Sequence, residues 1–168
     1  IQIGSLRPEN RAFLAPLAGV SDIPFRRICQ ELGAGLTFVE MLTSNLILQG
    51  HPRNRTTWGR HPAEPLLGVQ LTGKSADEVA RAVEVLQAER FDLVDINMGC
   101  PVRKIVKRGG GSAFLKDVNR LHATVVAARA ATSLPLSVKI RLGFDREHVV
   151  VEDAATASHF HWLTDDRL

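Results

Sequence analysis

One pattern constrains this chain more than any other. A short apolar run is followed by a segment of helical period, and the pair recurs at intervals of about 30 residues, the length of a βαβ unit. The runs fall at residues 12–15, 36–39, 66–71, 93–96 and 136–142. They are short and largely apolar rather than strictly alternating, as strands covered on both faces must be. Strand, helix, strand, helix in that order predicts an α/β fold with a parallel sheet. Two closures satisfy it, an open doubly wound sheet or a barrel. No GxGxxG follows the first run, so the dinucleotide-binding form of the open sheet has no support.

The intervening segments carry helix signals. Asp22 is an N-cap candidate and Pro24 falls in the first turn. Phe25, Ile28, Cys29 and Leu32 then recur at helical spacing and Gly33 stops the helix, which predicts Cys29 as a packing residue on a buried face. Residues 43–48 predict a short helix. Ser75 with Glu78 three residues on reads as a capping box, and Val79, Val83, Val85 and Leu86 form the apolar side that follows. Residues 118–131 predict another helix, with Leu121, Val125 and Ala128 on its apolar stripe. A last helix is expected from about Val149. Residues 1–3 and 6–7 predict a small hairpin across Gly4-Ser5. Residues 51–64, with His51, Arg53, Arg55, Arg60 and His61, read as a solvated loop.

Composition narrows the class. With 45% hydrophobic and 23% charged residues, the chain is ordinary for a globular domain. No apolar run reaches the roughly 18 residues of a membrane span, and the first residues show no signal-peptide pattern. Two cysteines make no disulfide framework, which predicts reduced thiols in a cytoplasmic protein. A net charge of +3 is compatible with a polyanionic partner.

In parallel α/β folds the chemistry lies beyond the carboxyl ends of the strands. Those ends bring Pro16, Leu17 and Ala18, then Glu40, Gln70, Asn97 with Cys100, and Lys139 with Arg141. Gln70 and Asn97 are amides that both donate and accept, which suits a flat heteroaromatic ring. Lys139 and Arg141 are two apart and leave one face of their strand. A basic cluster, Arg103, Lys104, Lys107 and Arg108, follows Cys100 as a charged loop. It precedes Gly109-Gly110-Gly111-Ser112.

These segments carry a resemblance. Pro16-Leu17-Ala18-Gly19-Val20-Ser21-Asp22 with Pro24-Phe25-Arg26, Gly68-Val69-Gln70-Leu71, Asp95-Ile96-Asn97-Met98-Gly99-Cys100-Pro101 and Lys139-Ile140-Arg141 resemble, in order and approximate spacing, the tRNA-dihydrouridine synthases, most of all the bacterial B-type members. The resemblance runs from about residue 4 to about residue 155. It implies an FMN-dependent TIM (β/α)8 barrel that reduces the C5–C6 bond of uridine in tRNA with NADPH as reductant. It implies that Pro16, Leu17, Ala18, Gln70 and Lys139 contact FMN and that Cys100 is the catalytic proton donor. Asn97 and Arg141, with Arg103 and Lys104, are then expected on the substrate side, and no metal is expected.

The chemistry agrees with those roles. Reduction of the uracil double bond needs hydride at C6 and a proton at C5. Reduced flavin supplies hydride. An ordinary thiol, titrating near about 8.5, is mostly protonated at neutral pH and so serves as a general acid. Lys139 would stabilise an anionic reduced flavin. The basic cluster would give salt-sensitive affinity for RNA phosphates, and the target uridine would have to be flipped out.

Past Arg141 the family pattern of a histidine-bearing strand and two glycine-rich phosphate-binding strand ends is not found. Residues 1–168 are therefore expected to be an incomplete barrel, about the first five βα units. The C-terminal half-barrel and the helical tRNA-binding domain would be absent, and flavin held weakly or not at all. His159 and His161 are not read as a metal site. Two rival readings are a dihydroorotate-dehydrogenase-like flavoprotein acting on a free pyrimidine and a non-catalytic RNA-binding remnant. The basic run after Pro101 argues for a polyanion over a free pyrimidine.

Overall fold

A computed structural model describes residues 1–50 and 58–157. Among the described residues its strands are β1 (Thr37–Phe38), β2 (Leu42–Thr43), β3 (Leu67–Thr72), β4 (Leu93–Asn97) and β5 (Leu136–Lys139). The helices are α1 (Ile23–Glu31), α2 (Ser44–Leu48), α3 (Ala76–Gln87), α4 (Arg103–Lys107), α5 (Val118–Ala130) and α6 (Val151–Ala157), with a 3-10 turn over Gly111–Lys116. The strands form one sheet in the order β1-β3-β4-β5, every pairing parallel. The α/β alternation over a parallel sheet is therefore present, as a partial barrel requires.

Strand period divides the sheet into two faces of different chemistry. Val69, Leu71, Val94 and Ile96 point to the outer face. There they pack with Val79, Val83 and Leu86 of α3 and Leu121, Val125 and Ala128 of α5 in the main core. The inner face changes character along the strands. At the amino ends Leu93, Leu36 and Phe38 pack with Ile3 and Leu6. The Phe38 ring lies over Gly68, where any Cβ would collide with it. At the carboxyl ends the same face bears Gln70, Thr72, Asp95, Asn97, Ser137 and Lys139.

Local signals explain several boundaries. The Asp22, Ser75 and Asp117 side chains accept the backbone N–H groups of Phe25, Glu78 and Arg120, each cap contributing about 1 kcal/mol. The Gly4-Ser5 hairpin is present, closed by two Ile3–Leu6 backbone hydrogen bonds of 3.0 and 2.9 Å.

Other expectations are corrected. The run at 12–15 is not a strand but a single parallel bridge, Phe13 to Leu36. Pro16 has no N–H to extend that ladder. The edge strand expected at 36–39 is broken: β1 and β2 pair with opposite ends of β3, and Glu40 sits in the break. The last strand stops at Lys139 rather than 142. The basic cluster after Cys100 is a helical turn, α4, not a loop. Val85 is exposed on α3, and Ala82 takes the buried place expected for it. Glu78 does not close a capping box, because its carboxylate accepts from the Ser44 hydroxyl of α2.

The largest correction concerns α1. Its Ile28 and Leu32 are exposed and Cys29 is only half-buried, whereas Arg26 is fully buried. Arg26 forms a buried ion pair with Glu64 at 2.8 Å and donates to the Ser21 and Glu64 groups and to the Gly59 carbonyl. A paired guanidinium with several acceptors is thus what the helix turns inward. Glu64 is likewise not part of a solvated loop. Residues 51–57, and the tail with His159 and His161, lie outside the described residues.

Candidate active site

The site is built on the last residues of β3, β4 and β5. In register, Gln70 lies opposite Asp95, and Asp95 opposite Ser137. Two residues further on, Asn97 lies opposite Lys139. Because i and i+2 share a face, the four polar groups of β4 and β5 lie beside Gln70.

These side chains form a continuous hydrogen-bonded chain. Ser137 Oγ donates to Asp95 Oδ1 at 2.6 Å. Gln70 Nε2 donates to Asp95 Oδ2 at 2.6 Å. Asn97 Nδ2 donates to Gln70 Oε1 at 2.8 Å. The backbone N–H of Cys100 then donates to Asn97 Oδ1 at 2.8 Å, and that of Gly99 to the same oxygen at 3.2 Å. Asn97 therefore closes an Asx-type turn that carries the thiol out of the strand end. Cys100 itself is half-buried.

Further contacts fix the turn from outside. The Cys100 carbonyl accepts the Ser112 N–H at 2.9 Å. Gly111, at φ +57°, brings its backbone against that carbonyl where a Cβ would collide, which is why glycine is required there. Thr72 Oγ1 accepts the Gly111 N–H at 3.2 Å. Arg141 Nε donates to the Gly99 carbonyl at 2.6 Å, so this exposed guanidinium is drawn over the same turn. Arg120 donates to the carbonyls of Lys74 and Gly109, joining the loop after β3 to the loop after α4.

Residues 16–18 are held separately. Ser21 Oγ accepts the Leu17 N–H at 2.8 Å and donates to the Leu17 carbonyl at 2.9 Å. Glu40, from the break in the edge strand, accepts the Gly19 N–H at 2.7 Å. Leu17 and Ala18 are left exposed on this turn. Arg103 and Lys104 project from α4, exposed, immediately after the Cys100 turn.

Burial perturbs one acid strongly. Asp95 is raised to about 6 by desolvation, against the opposing effects of the Ser137 and Gln70 hydrogen bonds and the Lys139 charge. Lys139 is exposed, and its ammonium is near enough to act on that carboxylate.

The structure thus joins Gln70, Asn97, Cys100 and Arg141 in one bonded group and sets Lys139 beside it. Sequence reasoning gave no role to Asp95, Ser137, Thr72, Ser21 or Arg26. The signal for two of them was present: Asp95 and Ser137 stand two residues before Asn97 and Lys139, on the same strand face.

An amide-lined inner face thus lies below a strand-end thiol on a parallel α/β sheet. Residues 13–159 match the model of the family described as dihydrouridine synthase (Dus). The chain is 36% identical over 148 residues to tRNA-dihydrouridine synthase B of Pasteurella multocida (strain Pm70), covering 88% of this chain and 45% of that protein. It is 38% identical over 149 residues to tRNA-dihydrouridine synthase B of Pseudomonas syringae pv. tomato, covering 88% and 44%. A protein of Oryza sativa subsp. japonica named as tRNA-dihydrouridine(47) synthase-like, with NAD(P)(+) in its name, is 43% identical over 137 residues, covering 81% and 20%. The chain belongs to the dihydrouridine synthase family. It spans less than half the length of these curated relatives.

Proposed function

We propose that this chain carries the proton donor and part of the flavin-binding surface of an enzyme that reduces uridine to 5,6-dihydrouridine in tRNA. The observation that supports this most directly is the bonded chain from Gln70 through Asn97 to the Cys100 turn. It places a thiol at the strand end, above two oriented amides. In this reading residues 1–168 are the N-terminal part of a (β/α)8 catalytic domain. The relatives' greater length would contain the remaining strands and a helical tRNA-binding domain.

The residues present fit FMN. The turn at Pro16, Leu17 and Ala18 presents the exposed Ala18 backbone, with the Leu17 N–H and carbonyl already held by Ser21; Gln70 Nε2 has a second N–H beyond its bond to Asp95, and the exposed Lys139 ammonium supplies positive charge. When bound, FMN supplies hydride to C6 of the uracil, with NADPH as the source of electrons. Cys100 gives its S–H proton to C5, and the thiol recovers a proton from solvent. Asn97 and Arg141 orient the base. Arg103 and Lys104 meet phosphates next to the site, which favours a polynucleotide over a free pyrimidine. A tRNA substrate supports a cytoplasmic setting for this reaction.

The test uses the full-length protein and its Cys100→Ala variant. Both should retain flavin and bleach it with NADPH. Reoxidation by unmodified tRNA should fall at least about 100-fold in the variant, as removal of a general acid implies. Reoxidation by orotate but not by tRNA, or an unimpaired variant, would overturn the reading.

A further inference from the structure

The hydrogen-bonded chain on the inner face has a direction. At one end stand the N–H groups of Gly99 and Cys100, which only donate. At the other stands Asp95, a carboxylate, which in its ionised form only accepts. Between them lie two amides, each of which could be turned either way in isolation. With both ends fixed, one arrangement satisfies every group. Asn97 offers its oxygen to the turn and its NH2 to Gln70, and Gln70 offers its oxygen to Asn97 and its NH2 to Asp95. Turning Gln70 over would set NH2 against NH2 and oxygen against carboxylate. Asn97 would then have to turn as well, and the Cys100 amide would lose its acceptor.

Water cannot easily substitute along this chain. Gln70 is 1% exposed, Asp95 5% and Asn97 9%. An unmatched amide here therefore bears its full desolvation penalty. The acid that sets the direction has no place in the proposed chemistry.

We propose that Asp95 is a positioning residue: its carboxylate fixes which way the amides of Gln70 and Asn97 face, and through Asn97 it holds the turn that presents the Cys100 thiol. The N–H left over on each amide is aimed by the same constraint, so Asp95 also sets the donor pattern offered to a bound ring. The direction does not require the charge. If Asp95 takes a proton on the oxygen facing Ser137, that hydroxyl turns to accept, and the other oxygen still accepts from Gln70. Asparagine reproduces this state, with its oxygen toward Gln70 and its NH2 toward Ser137. Leucine, of similar branched shape, leaves Gln70 without an acceptor.

The test compares Asp95→Asn, Asp95→Leu and Asp95→Ala in the full-length protein. Amide hydrogen exchange reads the turn without reference to any reaction. The Gly99 and Cys100 amides should exchange at least tenfold faster in Asp95→Leu, while β3 and β4 amides keep their protection. Asp95→Asn should keep both. The kinetic arm rests on the uridine-reductase reading: kcat should fall at least tenfold in Asp95→Leu with KM for tRNA within twofold, and Asp95→Asn should restore it to within threefold. Asp95→Ala answers the same questions if the leucine variant does not fold. Unchanged exchange at Gly99 and Cys100 in a folded leucine or alanine variant would overturn the proposal, as would an asparagine variant as impaired as leucine. If exchange responds as expected but no form of the protein reduces uridine, the positioning role stands and the assigned reaction fails.

Discussion

Asn97 Oδ1 accepts the backbone N–H of Cys100 at 2.8 Å, so the thiol is aimed by a side chain three residues before it in the chain. This contact ties the end of β4 to the proposed chemistry. Asn97→Ala removes it and also strips Gln70 Oε1 of its donor. Loss of a buried partner costs about 1–3 kcal/mol. The expected outcome is a lower urea midpoint, together with a reduction rate that falls more than tRNA affinity does. Single-turnover kinetics with pre-reduced protein separates the two.

Gly111 is held at φ +57° with its backbone against the Cys100 carbonyl. Gly111→Ala adds the strain of a left-handed alanine, about 1–2 kcal/mol, to a steric clash. The carbonyl must move, and the Ser112 N–H bond to it goes with it. A drop in melting temperature and a reduced rate are expected together. Gly19→Ala is the control for left-handed strain alone, since its added Cβ would meet nothing within 4 Å. A Gly111→Ala variant no worse than that control would argue against the steric account.

The buried Arg26–Glu64 pair should behave asymmetrically. Removing one partner, as in Arg26→Met, strands a charge and is expected to cost about 3–5 kcal/mol. The double variant Arg26→Met/Glu64→Met should recover much of that loss. Because Arg26 also donates to the Ser21 carbonyl, and Ser21 brackets Leu17, the single variant should weaken flavin retention as well. Denaturant unfolding of the parent, Arg26→Met, Glu64→Met and the double variant measures the coupling, and flavin absorbance measures the second effect.

Asp95 gives stability a distinctive pH dependence. Its carboxyl titrates near 3.8 when unperturbed and is raised to about 6 in the fold. The folded state therefore holds the proton more tightly than the unfolded chain. Its contribution is fully present below the lower value and is lost as pH rises through about 6. Burial of the charge costs roughly 3 kcal/mol across that window, on the scale of 1.36 kcal/mol per pKa unit. Urea unfolding between pH 3.5 and 7 should show Asp95→Asn gaining stability relative to the parent as pH rises. A constant difference would contradict the burial effect.

The sequence made the sheet and the thiol legible through different signals. Period placed α1, α3 and α5, and Asp22 and Ser75 marked the starts of the first two, because apolar spacing and an Asp or Ser at the start are local properties. Gln70, Asn97 and Cys100 could be singled out because polar groups at the ends of apolar runs are costly unless they face a site. Arg26 and Glu64 could not. They lie 38 residues apart, and nothing in the helical pattern of α1 reports that its buried face is a guanidinium. The break between β1 and β2 escaped for a similar reason. Only pairing with both ends of β3 distinguishes a broken edge strand from a strand and a loop. Asp95 stood inside the most specific motif and still had no assignable role, since its partners Gln70 and Ser137 come from two other strands.

The division of the sheet into an apolar outer face and a polar inner face links assembly to chemistry. A slip of β4 by one residue would carry Val94 and Ile96 inward and thrust Asp95 and Asn97 into the helix-packed core. The same error would thus break the core and dismantle the turn behind Cys100. A sheet misaligned by one residue could not keep a sound core beside a faulty site. The arrangement acts as a built-in proofreading step, in which a chain that passes the test of packing has already placed its thiol.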